Sequence, residues 1–251
     1  IIGYQSLAEL VTKAHSIAFR IKIEDAVDLP PFIDETRYIT LEPKAQSVYN
    51  QIAHESYVEL EQGNVTIRNV LTQLLRCTGG FIKNDQTNEA QAVSRAKLDA
   101  LEDIIDSCVE EGKKVVVFAR FIPEIDEIEK LLKKKGIGYA LIKGDVKDRA
   151  EEVRKFQEEP NVKVFVGQLQ TTGMGLTLTA ASVAVYYSLD FSYANYEQSR
   201  ARIHRIGQNQ KCLYIHLVAK NTVDEKVLGA LNKKGDIAKL MVDDWRNLLN
   251  G

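Results

Sequence analysis

The stretch KKVVVFARFIPEIDEIEKLLKKKGIGYALIKG, residues 113–144, decides the fold. It begins with an apolar run, Val115 to Phe118, whose length and branched side chains are typical of a strand buried on both faces. An amphipathic helix follows from Pro123 to Lys135, with the proline near its start and Gly136 at its end. A second apolar run, Tyr139 to Ile142, completes a strand, helix, strand unit, which predicts two parallel strands of one sheet.

The same alternation continues beyond this unit. Further apolar runs with the length of buried strands lie at residues 162–166, 183–188 and 213–218, with amphipathic helices between them. We therefore predict an α/β fold with a doubly wound parallel sheet for residues 91–251, braced by a C-terminal helix at 236–249. Ligands of such sheets gather at the carboxyl ends of the strands, so the loops there are the first places to look for a site.

Residues 1–90 have a different pattern. Apolar residues recur at helical spacing at 7–19, 45–60 and 65–75, which predicts a mostly helical region. Two prolines interrupt it, and the alternation from Thr36 to Leu41 predicts one short strand. The glycine-rich and polar segment 79–88 indicates a loop between two units.

Composition excludes several classes of protein. The net charge of −2 gives no overall attraction to nucleic acid, so any such contact must come from a local patch. No stretch approaches the roughly 20 apolar residues that cross a bilayer, and the opening residues lack the features of a signal peptide. Cys77, Cys108 and Cys212 are far apart and form no metal-binding motif, so we expect reduced core cysteines, no metal site and a cytoplasmic protein.

Two segments carry candidate chemistry. The first, GQLQTTGMGLTLTAAS at 167–182, has two glycines and ends in a predicted helix start, whose N–H groups would favour an anion. The second is FSYANYEQSRARIHRIGQ at 191–208. A helix from Asn195 to Ile206 would project Gln198, Arg202 and Arg205 together, and paired guanidiniums suit a polyphosphate. The simpler alternatives are a glycine turn without a ligand and a solvated charged helix face.

The amino-acid sequence of these segments resembles that of the Snf2 family of DNA-dependent ATPases, a branch of helicase superfamily 2. HRIGQ at 204–208, preceded by Gln198 and Arg202, is similar to the last helicase motif of that family. Further similarity lies in KVVVFARF at 114–121, YALIKG at 139–144, MGLTLTAAS at 174–182, LVAKNTVDEK at 217–226 and LPPFIDET at 29–36. The resemblance covers nearly the whole chain and implies a RecA-like C-terminal helicase lobe, preceded by the segment that joins two lobes.

The resemblance also implies roles for individual residues. Arg202 and Arg205 match the arginine fingers that act on the γ-phosphate of ATP, while Gln198, Gly173 and Gly175 match positions that line the same cleft. ATP and Mg²⁺ would be bound mainly by a first, N-terminal RecA-like lobe. Contacts to the phosphates of double-stranded DNA would come from Ala119, Arg120, Lys143, Gly144, Lys147, Thr171 and Thr172. His204 is expected to be a structural, hydrogen-bonded residue.

The sequence departs from the family pattern in two respects. The glycine segment has Gln168-Leu169, Thr172-Gly173 and Thr177 where the family commonly has serine-threonine, two adjacent glycines and a later asparagine. These differences resemble the phage and bacterial branch or the annealing-helicase-like branch of the family, and we expect a bacterial or phage-infected cell, with the protein at the nucleoid. The larger departure is that no GxxxxGK[ST] motif occurs. We therefore expect this chain alone not to hydrolyse ATP. A strand-separating helicase lobe and a non-enzymatic module that docks to DNA or a protein remain as alternatives.

Overall fold

The computed structural model describes residues 27–62, 65–83, 89–144, 148–170 and 175–233, together with positions 6, 9, 12, 13 and 16. The predicted C-terminal helix at 236–249 and most of the predicted helix at 7–19 lie outside these residues. In chain order the elements are β1 (Phe32–Ile39), α1 (Pro43–Glu61), α2 (Ile67–Thr78), β2 (Phe81–Lys83), β3 (Ala90–Ala92), α3 (Ala96–Glu110), β4 (Val115–Ala119), α4 (Ile122–Lys135), β5 (Gly138–Ile142), α5 (Arg149–Glu158), β6 (Val162–Gln168), β7 (Val183–Tyr186), α6 (Tyr193–Arg200), β8 (Cys212–Ala219) and α7 (Val223–Asn232).

Six of the strands form one sheet in the order β1-β8-β7-β4-β6-β5, and every neighbouring pair is parallel. The chain passes from β4 outward to β5, returns through β6 and then crosses β4 to reach β7. This reversal of direction defines the switch point of a doubly wound sheet. The predicted α/β fold with a parallel sheet is confirmed, and each of the five predicted strands from residue 115 onward is present.

The sheet is covered on both faces, as the continuous apolar runs predicted. In β4, Val116 and Phe118 face one core together with α2, α5, α6 and α7. Val115 and Val117 face the other core, which α3 and α4 close. Each of these four side chains is fully buried, so the sheet is a rigid support for the loops at its edges.

Helix α4 shows how local sequence sets an element boundary. Its first turn contains a proline, and the Glu124 carboxylate accepts a hydrogen bond from the backbone N–H of Phe121, the N-cap residue. Gly136 ends the helix with φ +66°, a left-handed conformation that glycine adopts without a Cβ clash. The helix predicted from Pro123 to Lys135 is therefore confirmed to within one residue.

Strand β1 lies earlier than the strand predicted at Thr36–Leu41. It pairs along its whole length with β8, from Phe32 opposite Cys212 to Ile39 opposite Ala219. Its sequence, FIDETRYI, mixes charged and apolar residues because it is an edge strand whose residues are largely exposed. Residues 32–78 thus add a strand and two helices to the body that holds the parallel sheet, while the predicted division near residue 90 stays a prediction.

Within the described residues no helix is long and apolar enough to span a bilayer.

Candidate nucleotide and nucleic-acid site

The arginine segment begins as a helix but does not continue as one. Ser192 caps α6 by accepting a hydrogen bond from the backbone N–H of Asn195, and the helix ends at Arg200. The helix predicted from Asn195 to Ile206 is therefore wrong in its second half. Residues 201–207 form turns because the carbonyl of Arg202 accepts a hydrogen bond from the N–H of Leu178 at 2.9 Å and is not free for a helical bond.

These turns place Arg202 and Arg205 beside the glycine segment. The Leu178 N–H holds the backbone of Arg202 there. In addition, Nη1 of Arg205 donates a hydrogen bond to the carbonyl oxygen of Leu176 at 3.4 Å. Burial lowers the pKa of Arg202, and the neighbouring positive charge of Arg205 lowers it further. The two guanidiniums are therefore close enough to repel each other, and Arg205 forms no ion pair with any carboxylate that the structure describes.

The glycine segment is held in place by glutamine side chains. Gln208, which is buried, donates from Nε2 to the carbonyl of Ala181 at 2.8 Å, and Gln157 of α5 accepts from the N–H of Ala180 at 2.8 Å. Residues 175–182 contain turns at 175 and at 179–180 but no helix, so the helix start predicted there is wrong. The N–H groups of Leu178 and Ala180 already have protein acceptors, and an anion would have to be bound by side chains instead.

Arg200 anchors the arginine segment to the rest of the fold, a role that the sequence did not indicate. Its guanidinium donates to both carboxylate oxygens of Asp34 in β1, at 2.9 Å for the Nη2 bond. It also packs over the rings of Tyr214 at 4.1 Å and Phe32 at 4.8 Å. Burial would lower the pKa of Arg200, but the bonded carboxylate of Asp34 raises it above the ordinary value. Arg200 is therefore fixed, whereas Arg202 and Arg205 lie on the turns beyond it.

His204 has the structural role that was expected, although it lies in a turn and not in a helix. Its Nε2 is 2.7 Å from the carbonyl oxygen of Pro30, and its ring contacts Phe32 edge-on at 5.3 Å. Together with the hydrogen bond from the hydroxyl of Tyr214 to the carbonyl of Arg200, these contacts place residues 200–205 near the starts of β1 and β8. The arginine pair is thus not at the carboxyl edge where the sheet topology had predicted ligands.

Of the predicted DNA-contacting residues, the four that the structure describes lie at the opposite, carboxyl edge. Ala119 is fully buried, and the side chain of Arg120 is 9% exposed, packed 4.0 Å from the Phe191 ring and 3.6 Å from a carboxylate oxygen of Asp190. Lys143 is paired with Asp126 at 2.8 Å on α4, and Gly144 beside it is exposed. The backbone of Gly144 could therefore contact a phosphate directly. Lys143 could do so only if its ion pair with Asp126 breaks.

The remaining site residues are distributed as follows. Gly175 has φ +61° and open space around the position of a Cβ, and Gln198 is exposed on α6. Lys147, Thr171, Thr172 and Gly173 lie outside the described residues. The segment 169–182 begins at the carboxyl end of β6 and finishes at the amino end of β7, so it connects the edge with the DNA candidates to the arginine pair.

A buried acid at the carboxyl edge was not predicted. The Glu124 carboxylate accepts hydrogen bonds from the hydroxyl of Ser188 at 2.6 Å and from the N–H groups of Arg120 and Phe121, each at 3.1 Å. Glu124 is 2% exposed, and burial raises its pKa to about 7 against the effect of these donors. It ties β4, β7 and α4 together. Its position within PEIDEIE gave no signal, since three similar acids of that segment face outward.

We expect this acid to make stability fall as pH rises. The unfolded chain loses the Glu124 proton near pH 4.5, while the folded chain keeps it to about pH 7. Between these values the free energy of unfolding should therefore decrease by about 1.4 kcal/mol per pH unit relative to Glu124→Gln. Urea unfolding of both proteins from pH 5 to pH 8 measures the difference.

Comparing wild type with Glu124→Gln removes the contribution of His216 to the pH dependence of stability, which has the opposite sign. Burial lowers the pKa of that histidine to about 4, so its effect on stability increases with pH and is the same in both proteins. A difference between wild type and Glu124→Gln that is independent of pH would show that Glu124 is ionised throughout.

Comparisons with known proteins bear on the fold and the family that this chain resembles. The helicase conserved C-terminal domain family matches residues 96–207. An uncharacterized ATP-dependent helicase of Mycoplasma pneumoniae is 28% identical over 90% of this chain, and the ISWI chromatin-remodeling complex ATPase ISW1 of Saccharomyces cerevisiae is 26% identical over 92% of it. This chain spans only 22% of the length of each of these relatives.

Among solved structures, the SWI2/SNF2 ATPase core of Sulfolobus solfataricus in complex with dsDNA superimposes with a TM-score of 0.70. It is 22% identical, and the match covers 96% of this chain and 55% of that one. This likeness establishes the fold.

The parallel sheet, its switch point and the matched domain define the class of the protein as a RecA-like helicase C-terminal lobe. Relatives that match beyond both ends of that domain are of the same kind. The chain is similar to a SWI/SNF-related regulator of chromatin of Caenorhabditis elegans and to the ISWI ATPase of Saccharomyces cerevisiae, at 28% and 26% identity, which agrees with the Snf2 resemblance of the sequence.

Proposed function

We propose that this chain is the C-terminal half of an ATP-dependent double-stranded DNA translocase, which supplies arginine fingers to an ATP site shared with a first RecA-like lobe. The observation that carries the proposal is the position of Arg202 and Arg205 beside residues 176–178, with Arg205 free of carboxylates in the described part. Helicase names among the relatives support the use of ATP.

The arginine pair fits a polyphosphate on chemical grounds. Guanidiniums keep their charge at every physiological pH and present fixed donors that match phosphate oxygens. ATP would supply the phosphoryl group, with Mg²⁺ held by the first lobe. In this chain Arg200 holds the segment against β1, and Gln208 fixes the glycine turn against it, so that Arg202 and Arg205 remain oriented as a pair.

DNA contact is proposed for the carboxyl edge, through Gly144, Lys143 and the loops after β4 and β6. Contacts of this type are made to phosphates and not to bases, so DNA binding should depend strongly on the salt concentration and little on the DNA sequence. The solved dsDNA complex of the Sulfolobus ATPase core supports this assignment by its fold. Such a protein would act in the cytoplasm, on the DNA of a bacterial or phage-infected cell.

The test joins this chain to a lobe that carries a Walker A motif and measures three activities. We expect ATP hydrolysis that duplex DNA stimulates, displacement of a third strand from a triplex and no separation of duplex strands. Separation of the duplex would favour a strand-separating helicase instead. An absence of hydrolysis with an intact Walker lysine would favour a module that only docks to DNA or a protein.

A further inference from the structure

Positive charge from two different parts of the fold converges on Phe121, just after β4. The Arg120 guanidinium lies 5.2 Å from the centre of the Phe121 ring, and the Arg76 guanidinium of α2 lies 5.5 Å from it. Burial lowers the pKa of Arg120, Asp190 and Glu124 oppose this, and the charges of Arg76 and Arg68 lower the pKa further. Three arginines therefore share one electrostatic environment.

The geometry of α2 brings the third arginine into this group. Arg68, Thr72 and Arg76 are spaced four residues apart, so they form one stripe along the helix. Arg68 is exposed, and its side chain has no ion-pair partner among the described residues. The stripe spans about 12 Å from Arg68 to Arg76 along the helix axis. It therefore presents two cations about 12 Å apart and not a single point charge.

The acids nearby leave the charge of Arg120 incompletely balanced. Asp190 is 3.6 Å from Nη1 of Arg120, beyond hydrogen-bond distance, and that buried nitrogen has no hydrogen-bond acceptor in the described part. Glu124 is directed toward Ser188 and backbone N–H groups. Glu55 and Glu59 line a cavity of about 220 Å³ with Arg76 on the α1 side of α2. Gathering like charges is unfavourable unless an anion offsets it.

We propose that Arg68 and Arg76, supported by the charge of Arg120, form a patch on α2 that binds backbone phosphates of duplex DNA. Two cations spaced along a helix can contact successive phosphates of a linear polyanion. The patch lies at the carboxyl edge with Gly144, whereas the arginine pair proposed for ATP lies near the strand starts. The inference rests on the proposed DNA-binding function and adds α2 to the surface that the DNA covers.

The experiment uses the 251-residue chain and a fluorescein-labelled duplex of mixed sequence, with anisotropy measured over a series of KCl concentrations. Arg68→Gln should weaken binding severalfold at low salt and make the slope of log K against log salt less steep by about 0.9, the value for one lost phosphate contact. Arg68→Lys should keep the wild-type slope. The matched control is Arg154→Gln on α5, an exposed arginine paired with Glu151 and Glu158, which should bind as wild type does.

Two results would overturn the proposal in distinguishable ways. If Arg68→Gln keeps the wild-type slope while Lys143→Gln reduces it, the patch on α2 is wrong and DNA binding at the carboxyl edge stands. If the unaltered chain shows no affinity for the duplex at low salt, both the patch and the proposed DNA-binding function are wrong.

Discussion

Replacement of Arg205 by alanine is expected to lower the DNA-stimulated ATPase rate by about three orders of magnitude or more, in a protein that joins this chain to a lobe with a Walker A motif. The reason is that a guanidinium reaching the transferred phosphoryl group stabilises charge that develops in the transition state, an effect of about 10³ to 10⁵ in related systems. Arg202→Ala should show a loss of the same order. Steady-state kinetics should place the effect in kcat, because an interaction made in the transition state does not strengthen ground-state binding.

The controls separate catalysis from folding. The side chain of Arg205 makes only one long hydrogen bond in the described structure, at 3.4 Å to the carbonyl of Leu176, so replacing it should leave the unfolding midpoint nearly unchanged. Arg205→Lys should also be poorly active, since lysine keeps the charge but not the planar set of donors. Arg154→Ala on α5 is the matched exposed arginine and should retain wild-type kcat. A loss of less than about tenfold for Arg205→Ala would be too small for an arginine finger.

The largest effect on stability is expected from Lys97→Met. Lys97 and Asp224 form an ion pair of 2.6 Å with side chains only 2% and 4% exposed, between α3 and the start of α7. Asp224 also accepts hydrogen bonds from Thr78 and from the N–H of Ala219. Removing the lysine leaves an uncompensated buried carboxylate, which should cost about 3 to 5 kcal/mol of unfolding free energy in urea titrations.

The matched control is Lys130→Met, which removes an exposed ion pair with Glu127 and should change stability by less than about 1 kcal/mol. The double variant Lys97→Met with Asp224→Asn should recover a large part of the loss, because no charge is then left buried alone. A cost of under 1 kcal/mol for Lys97→Met would mean that water reaches Asp224 in the folded protein.

The inner strands of the parallel sheet could be predicted because burial on both faces leaves them mostly apolar. Val115 to Phe118 is such a run, and its helix partner α4 carries both a proline at its start and a glycine at its end. Strand β1 could be located only approximately, since as an exposed edge strand it keeps charged residues such as Asp34 and Glu35. Its pairing with β8 depends on tertiary structure and leaves no local pattern.

The candidate site could be predicted in residue type but not in geometry. The spacing of Gln198, Arg202 and Arg205 fits a helix, yet a single tertiary hydrogen bond from Leu178 to the Arg202 carbonyl replaces the helical one. Arg200 and Arg202 are alike in sequence, and only the position of Asp34 on a distant strand makes Arg200 an anchor. The buried position of Glu124 likewise arises from Ser188, which is remote in the chain.

The pairing of β1 with β8 has a consequence for how the protein is made. Phe32 lies opposite Cys212, about 180 positions later in the chain, so on the ribosome β1 has no partner until nearly all of the sheet has been synthesised. At about 5 to 20 residues per second the delay is roughly 10 to 35 s. Throughout that interval Ile33 and Tyr38, which stay half exposed even in the finished fold, would be open to chaperones or to aggregation. The edge of the sheet is therefore completed only after every other strand of that sheet has been synthesised.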